Sequence, residues 1–292
     1  MALETALMYS GEQYSFQVDD AIVQEMRNTR DNFLIQYDKQ CPTKEYCAIY
    51  FSSNDIYFPN TKEIFRKRIV EKNFYEWYET RIERAYKHIF VRDIYKQWYL
   101  KGINSAIDTP EKLMNWLETE TKGYNVIALG SSAGGYAAIL YGSKLHAEHI
   151  FAFNPQFELS SLFERSDEEK NPLLYRLRGT EWSKYFDITP MMSVAPNNIY
   201  YFYSSKSLWD IKQYQHINDV KGIHRIGFST SHHGIPFLKV ALPKVLNMDT
   251  KDLCRLESQM NNPAIFTIRI VGLRRAIMGF YKQVVSIRFR RK

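Results

Sequence analysis

The chain has 292 residues, 45% of them hydrophobic and 24% charged, enough apolar material for a large core, and it reads as one α/β domain with extensions rather than two equal domains. No apolar run reaches the length of a membrane span, and the first residues lack the basic-then-apolar pattern of a secretory leader, so a cytoplasmic location is expected. Three cysteines, Cys41, Cys47 and Cys254, argue against a disulfide framework, and the net charge of +7 is confined to one end of the chain.

The first forty residues are polar, with weak helical periodicity over 21–37, and are read as an N-terminal extension (1–40). Residues 46–51 (YCAIYF) have the β-branched and aromatic content of a strand, and 52–60 follow as a loop. Residues 61–87 are charged and aromatic at helical spacing. A second strand covers 89–91 and ends in Arg92-Asp93. Thr109 as N-cap and Pro110 in the first turn open a helix that runs to 122. Strand 124–129 and helix 135–145 flank a glycine-rich turn. Strand 148–153 is broken by Asn154-Pro155. Residues 159–189 are polar without a strand period, and read as an inserted lid of helices. Strand 198–203, helix 210–220, strand 223–228 and helix 236–247 complete the pattern. Strands alternating with helices predict an α/β fold, a mainly parallel sheet with helices on both faces, over 1–250. A basic extension follows at 251–292. From Ala264 onward there is no acidic residue and there are eight basic ones, which leaves the rest of the chain at about −1. Apolar residues separate those charges. Such a tail suits an anionic membrane surface, a polyanion or a partner protein, or else a docked helix with solvated basic ends. No nucleic-acid partner is expected.

Gly130-Ser131-Ser132-Ala133-Gly134 is a G-x-S-x-G sequence in a strand–turn–helix setting, the arrangement of a nucleophile elbow. Ser132, between the glycines, is the candidate nucleophile. A serine hydroxyl needs a base, and the base needs an orienting carboxylate; in elbow folds they follow the serine in the order acid, then histidine. Asp210, just after strand 198–203, fits the acid, with a cap on the next helix as the alternative role; Asp187 and Asp219 follow no strand closely. His233 fits the base, because Gly234 allows a sharp turn, and His232 is the alternative. The backbone N–H of Ala133, with that of Ser52 or Ser53, would form the oxyanion hole. Asn54, Arg92 and Asp93 fall at the same sheet edge and are candidate substrate contacts. The other five histidines form no H-x-x-x-H pair, and no metal site is expected. The 21 tyrosines serve either core packing or a sugar-facing surface.

Five segments in order carry a resemblance: FSSNDIYFPN (51–60), FVRDIYKQWY (90–99), GSSAGGY (130–136), WDIKQY (209–214) and HGIPF (233–237). Together they resemble α/β-hydrolase-like proteins of bacterial capsule and surface-glycan loci, which include capsular polysaccharide O-acetyltransferases. The resemblance spans roughly residues 46–237. It implies a triad of Ser132, Asp210 and His233, acetyl-CoA as acetyl donor with no tightly bound cofactor, and a polysaccharide acceptor. Capsule-assembly proteins or the inner face of the cell membrane would be partners of the basic tail. The same residues would also suit a serine esterase or glycan deacetylase. The third reading is a non-catalytic glycan-binding or assembly protein.

Overall fold

The computed structural model describes Phe16 and residues 18–192 and 198–290. Its strands are β1 (Phe33–Tyr37), β2 (Tyr46–Phe51), β3 (Ala85–Val91), β4 (Asn125–Ser131), β5 (His149–Phe153), β6 (Ile199–Ser204) and β7 (Ile223–Phe228). They form one sheet in the order β1-β3-β2-β4-β5-β6-β7. β1 is an antiparallel edge strand against β3, and the other six are parallel. Six parallel strands behind one antiparallel edge, with crossing order at β3-β2-β4, make an α/β-hydrolase-like sheet.

Alternate residues of each strand enter separate cores. Cys47, Ile49 and Phe51 of β2 face one layer, and Ala48 and Tyr50 face the other. The first layer is closed by α1 (Ala21–Thr29), α2 (Pro110–Thr121), α3 (Ala133–Lys144) and α4 (Leu208–His216). The second is closed by α5 (Leu242–Leu246), α6 (Thr250–Arg255) and α7 (Pro263–Val271), and a last helix, α8 (Leu273–Arg290), follows. The N-cap expected at Thr109 and the proline expected in the first turn, Pro110, are both present on α2. Most tyrosines serve these cores: Tyr50, Tyr57, Tyr136, Tyr141 and Tyr201 are buried, whereas Tyr37, Tyr78 and Tyr281 are exposed.

Several elements differ from their sequence reading. The weak period over 21–37 is a helix ending at Thr29 and then strand β1, separated by Asn32 in a left-handed turn (φ 58°). Every residue of β1 keeps partial exposure, so the strand lacks a clean apolar alternation. Residues 61–87 are not one helix. A turn of helix at Lys62–Phe65 becomes a π-helical turn at Arg66–Glu71, and β3 already starts at Ala85, with Lys87 and His88 buried inside it. The segment 159–189 is three short turns. Leu162, Leu174, Tyr185 and Phe186 sink them into the α3 side of the core, and the Tyr136 hydroxyl donates to Tyr185 O at 2.7 Å. The chain past residue 250 also belongs to the domain as far as α7. Asn261 pairs alongside β7, and Phe266 meets Phe228 edge-on at 4.9 Å.

Candidate active site

β4 ends at Ser131 and α3 begins at Ala133; Ser132 between them sits at φ 54°, ψ −122°. A non-glycine residue there costs about 1–3 kcal/mol, so its surroundings must hold it. They do: Ser132 N–H donates to Phe153 O at 2.9 Å, and Tyr136 N–H donates to Ser132 O at 2.9 Å. The glycine spacing has a steric cause. A Cβ on Gly130 would lie 2.1 Å from Gly134 O, and one on Gly134 would lie 2.3 Å from Phe51 O. Only bare backbone lets β4, α3 and β2 approach this closely.

The imidazole of His233 lies between Ser132 and Asp210. Its Nε2 is 2.8 Å from Ser132 Oγ and its Nδ1 is 2.8 Å from Asp210 Oδ1. With Nδ1–H donating to the carboxylate, Nε2 is left to accept the serine proton. Asp210 is fully buried in the first turn of α4, and Ser207, not Asp210, is the N-cap of that helix. Asp210 Oδ2 is buried and has no hydrogen-bond partner. Trp209 stacks on the His233 ring at 5.4 Å and 9°. Burial pulls the His233 pKa down, but the charge and hydrogen bond of Asp210, aided by Asp55, outweigh it and hold the pKa above its ordinary 6.5. The His232 side chain is exposed, and its ring does not occupy this position.

The histidine loop is pinned from β5 and β6. Asn154 Nδ2 donates to Gly234 O at 2.7 Å and to Ser204 Oγ at 2.9 Å, and Ser204 Oγ donates to His232 O at 2.6 Å. Asn154, itself at φ 42°, is fully buried. The Asn-Pro pair that ends β5 in the sequence thus also fixes the loop carrying His233.

Gln156, two residues on, is also fully buried. Trp98 Nε1–H donates to its Oε1 at 3.0 Å and holds the amide beside the serine, with Nε2 3.4 Å and Oε1 3.5 Å from Ser132 Oγ. Trp98 is held in turn by a tightly wound loop. Lys96, Trp98 and Tyr99 have φ of 58°, 53° and 59°, and the Asp93 carboxylate accepts the N–H groups of Tyr95, Gln97 and Tyr99 at 2.8–2.9 Å. Neither Gln156 nor Trp98 has a motif of its own. The one sequence signal that could have marked Gln156 is its place just past the end of β5.

Other expected contacts are corrected. Asp93 works inside that loop, and burial raises its pKa against those three N–H donors. Arg92 is wholly buried; it donates to Asn32 Oδ1 and Phe74 O, both at 3.0 Å, and lies over the Tyr75 ring. Neither side chain is available to a substrate. Ser52 N–H is taken by Val91 O at 3.0 Å, and Ser53 N–H by Glu76 Oε2 at 2.5 Å, so neither backbone donor is free to meet an oxyanion here. Ala133 N–H remains in the first turn of α3, where helix N–H groups lack intrahelical acceptors. Asn54 is half-exposed on the turn Asn54–Ile56 that Ser53 caps. Among the described residues one cluster has metal-ligand types, His224, Cys254 and Glu257; it gathers at the start of β7, away from the strand ends near the serine.

No family model matches the chain, and no curated protein matches it in sequence. Solved structures do. The capsule O-acetyltransferase of Neisseria meningitidis serogroup A, in complex with caged gadolinium, is 17% identical over 67% of this chain and 81% of its own, with a TM-score of 0.46. A histidine-to-alanine variant of that enzyme in complex with CoA is 15% identical over 67% and 82%, with a TM-score of 0.44. Esterase B from Lactobacillus rhamnosis is 12% identical over 75% and 77%, with a TM-score of 0.42. These likenesses are distant.

Proposed function

We propose that the protein is a serine-nucleophile acyltransferase that moves acetyl from acetyl-CoA to hydroxyls of a bacterial surface polysaccharide. One observation carries the acyl chemistry: the unbroken run of 2.8 Å contacts from Ser132 Oγ through His233 to Asp210, on a strained elbow. The choice of donor and acceptor rests on the five ordered segments that resemble capsular O-acetyltransferases.

In the first half-reaction His233 Nε2 takes the Ser132 proton as Oγ bonds to the thioester carbonyl carbon. Ala133 N–H, together with Gln156 Nε2–H, faces the oxygen that becomes negative. When the intermediate collapses, the C–S bond breaks and His233 returns its proton to the departing thiolate. The second half-reaction reverses these roles. His233 takes the proton of a sugar hydroxyl, whose oxygen attacks the acetyl carbon, and Ser132 Oγ leaves with the proton from His233. Asp210 holds Nδ1 in the required tautomer and stabilises the imidazolium formed in each half. Asn54, half-exposed on the turn after β2, is the residue proposed to touch the acceptor.

Labelled acetyl-CoA with capsule oligosaccharide tests the reading. Label on the polymer supports transfer. Loss of thioester with no label on the polymer assigns an esterase instead. Failure of a fluorophosphonate probe to label Ser132 would leave the non-catalytic glycan-binding reading.

A further inference from the structure

Large hydrophobic side chains that remain exposed are gathered in one place. Of twelve among the described residues, eight lie between Met260 and Tyr281. α8 itself has three faces. The first docks on the domain: Ala276 is buried, a Cβ on Gly279 would stand 2.5 Å from Val240 Cγ1, and Gln283 Oε1 accepts from Lys239 N–H at 3.4 Å. The second carries Leu273, Ile277, Phe280 and Tyr281. Their i, i+4, i+7, i+8 spacing makes one stripe, and each is 58–70% exposed. The third carries Arg274, Arg275 and Lys282. Small residues at 276 and 279 bring the helix close to Val240, so the apolar stripe is held toward water by the docking itself.

A solvent-facing apolar stripe of this size marks an interaction surface. Its charge selects the occupant. With eight basic and no acidic residues from Ala264 to Lys292, a second copy of the same surface would repel this one. A soluble polyanion would satisfy the arginines and leave Leu273, Ile277 and Phe280 in water. An anionic bilayer satisfies both, with acyl chains for the stripe and phosphate headgroups for the basic side.

We propose that α8 is a membrane-docking helix that lies in the interface of an anionic bilayer, with Leu273, Ile277, Phe280 and Tyr281 inserted. The turn it docks on, Lys239–Ala241, directly follows the loop that carries His233. Membrane attachment therefore acts on the element next to the candidate active site. The proposal does not depend on the acyl chemistry, because binding is read without turnover.

Full-length protein is sedimented with vesicles of phosphatidylcholine alone or mixed with phosphatidylglycerol. Binding to the anionic vesicles is expected to be at least about tenfold stronger and to weaken as salt rises. The double substitution Ile277→Asp/Phe280→Asp should cut it about tenfold with an unchanged thermal melt. If that variant does not fold, Tyr281→Asp alone should weaken binding severalfold. Absence of binding, equal binding to neutral vesicles, or binding indifferent to these substitutions overturns the proposal. So does a double variant that changes only the oligomeric state, which would assign the stripe to a second copy. Binding to soluble polyglutamate without binding to vesicles would assign the surface to a polyanion and overturn it as well.

Discussion

A single imidazole joins the serine hydroxyl to a buried carboxylate, and its protonation sets how the site responds to pH. His233 can accept the Ser132 proton only when neutral. Asp210 favours the charged ring, so His233 keeps its proton to a pH above the ordinary 6.5. The rate constant kcat/KM should therefore fall as pH drops through a value above 6.5. Asp210→Asn removes the charge that holds the pKa up. It should move that acidic limb to lower pH and reduce kcat by roughly 10²–10⁴-fold, both read from one pH–rate series. Gln156 gives a second test. Gln156→Leu removes the amide that Trp98 holds beside the serine, and should lower kcat by about 10²-fold with little change in KM. Trp98→Phe leaves the amide in place but unoriented, and should have a smaller effect of the same kind. A KM increase at constant kcat would instead assign Gln156 to binding the substrate.

At the scale of elements, the elbow is made by contact between backbones. Gly134→Ala would press a Cβ against Phe51 O, and should destabilise the fold by more than about 3 kcal/mol, read by denaturant unfolding. Asn154→Ala frees the histidine loop from β5 and β6 and should slow turnover about tenfold while the serine still reacts with a phosphonate. The elbow is legible in the sequence because its glycines, strand and helix each leave a local signature. So are the helix at Pro110 and the six parallel strands, β3 only over its last residues. Other features depend on distant partners. β1 is a half-exposed edge strand with little alternation, and the polar residues Lys87 and His88 disguise the start of β3. Arg92 and Asp93 sit at the expected sheet edge, but only the fold shows that they point into the protein. Gln156 matters through Trp98, fifty-eight residues away in the chain.

For the whole molecule, two buried histidines couple the sheet to pH. His88, hydrogen-bonded to the Tyr50 hydroxyl at 2.9 Å, and His149 are each held down to about 4, chiefly by burial and further by Arg81 and Arg84 respectively. Between that value and 6.5 the unfolded chain takes up protons that the folded protein refuses. The stability that these two histidines contribute should thus be complete above pH 6.5 and be lost as pH falls toward 4, by up to about 3 kcal/mol each. A series of thermal melts from pH 7 to 4 checks this, and His88→Gln should flatten the slope. The same domain presents Ser132 just past the end of β4 and packs α8 on the turn that follows the histidine loop, the two features that the proposed acyl transfer at a membrane surface uses. The most direct test of that account is the mass of the intact protein after a brief exposure to acetyl-CoA and acid quench. An added acetyl group that maps to Ser132, and is absent from Ser132→Ala, is the predicted result. A protein that gains no acetyl, or gains it elsewhere and equally in Ser132→Ala, would contradict the account.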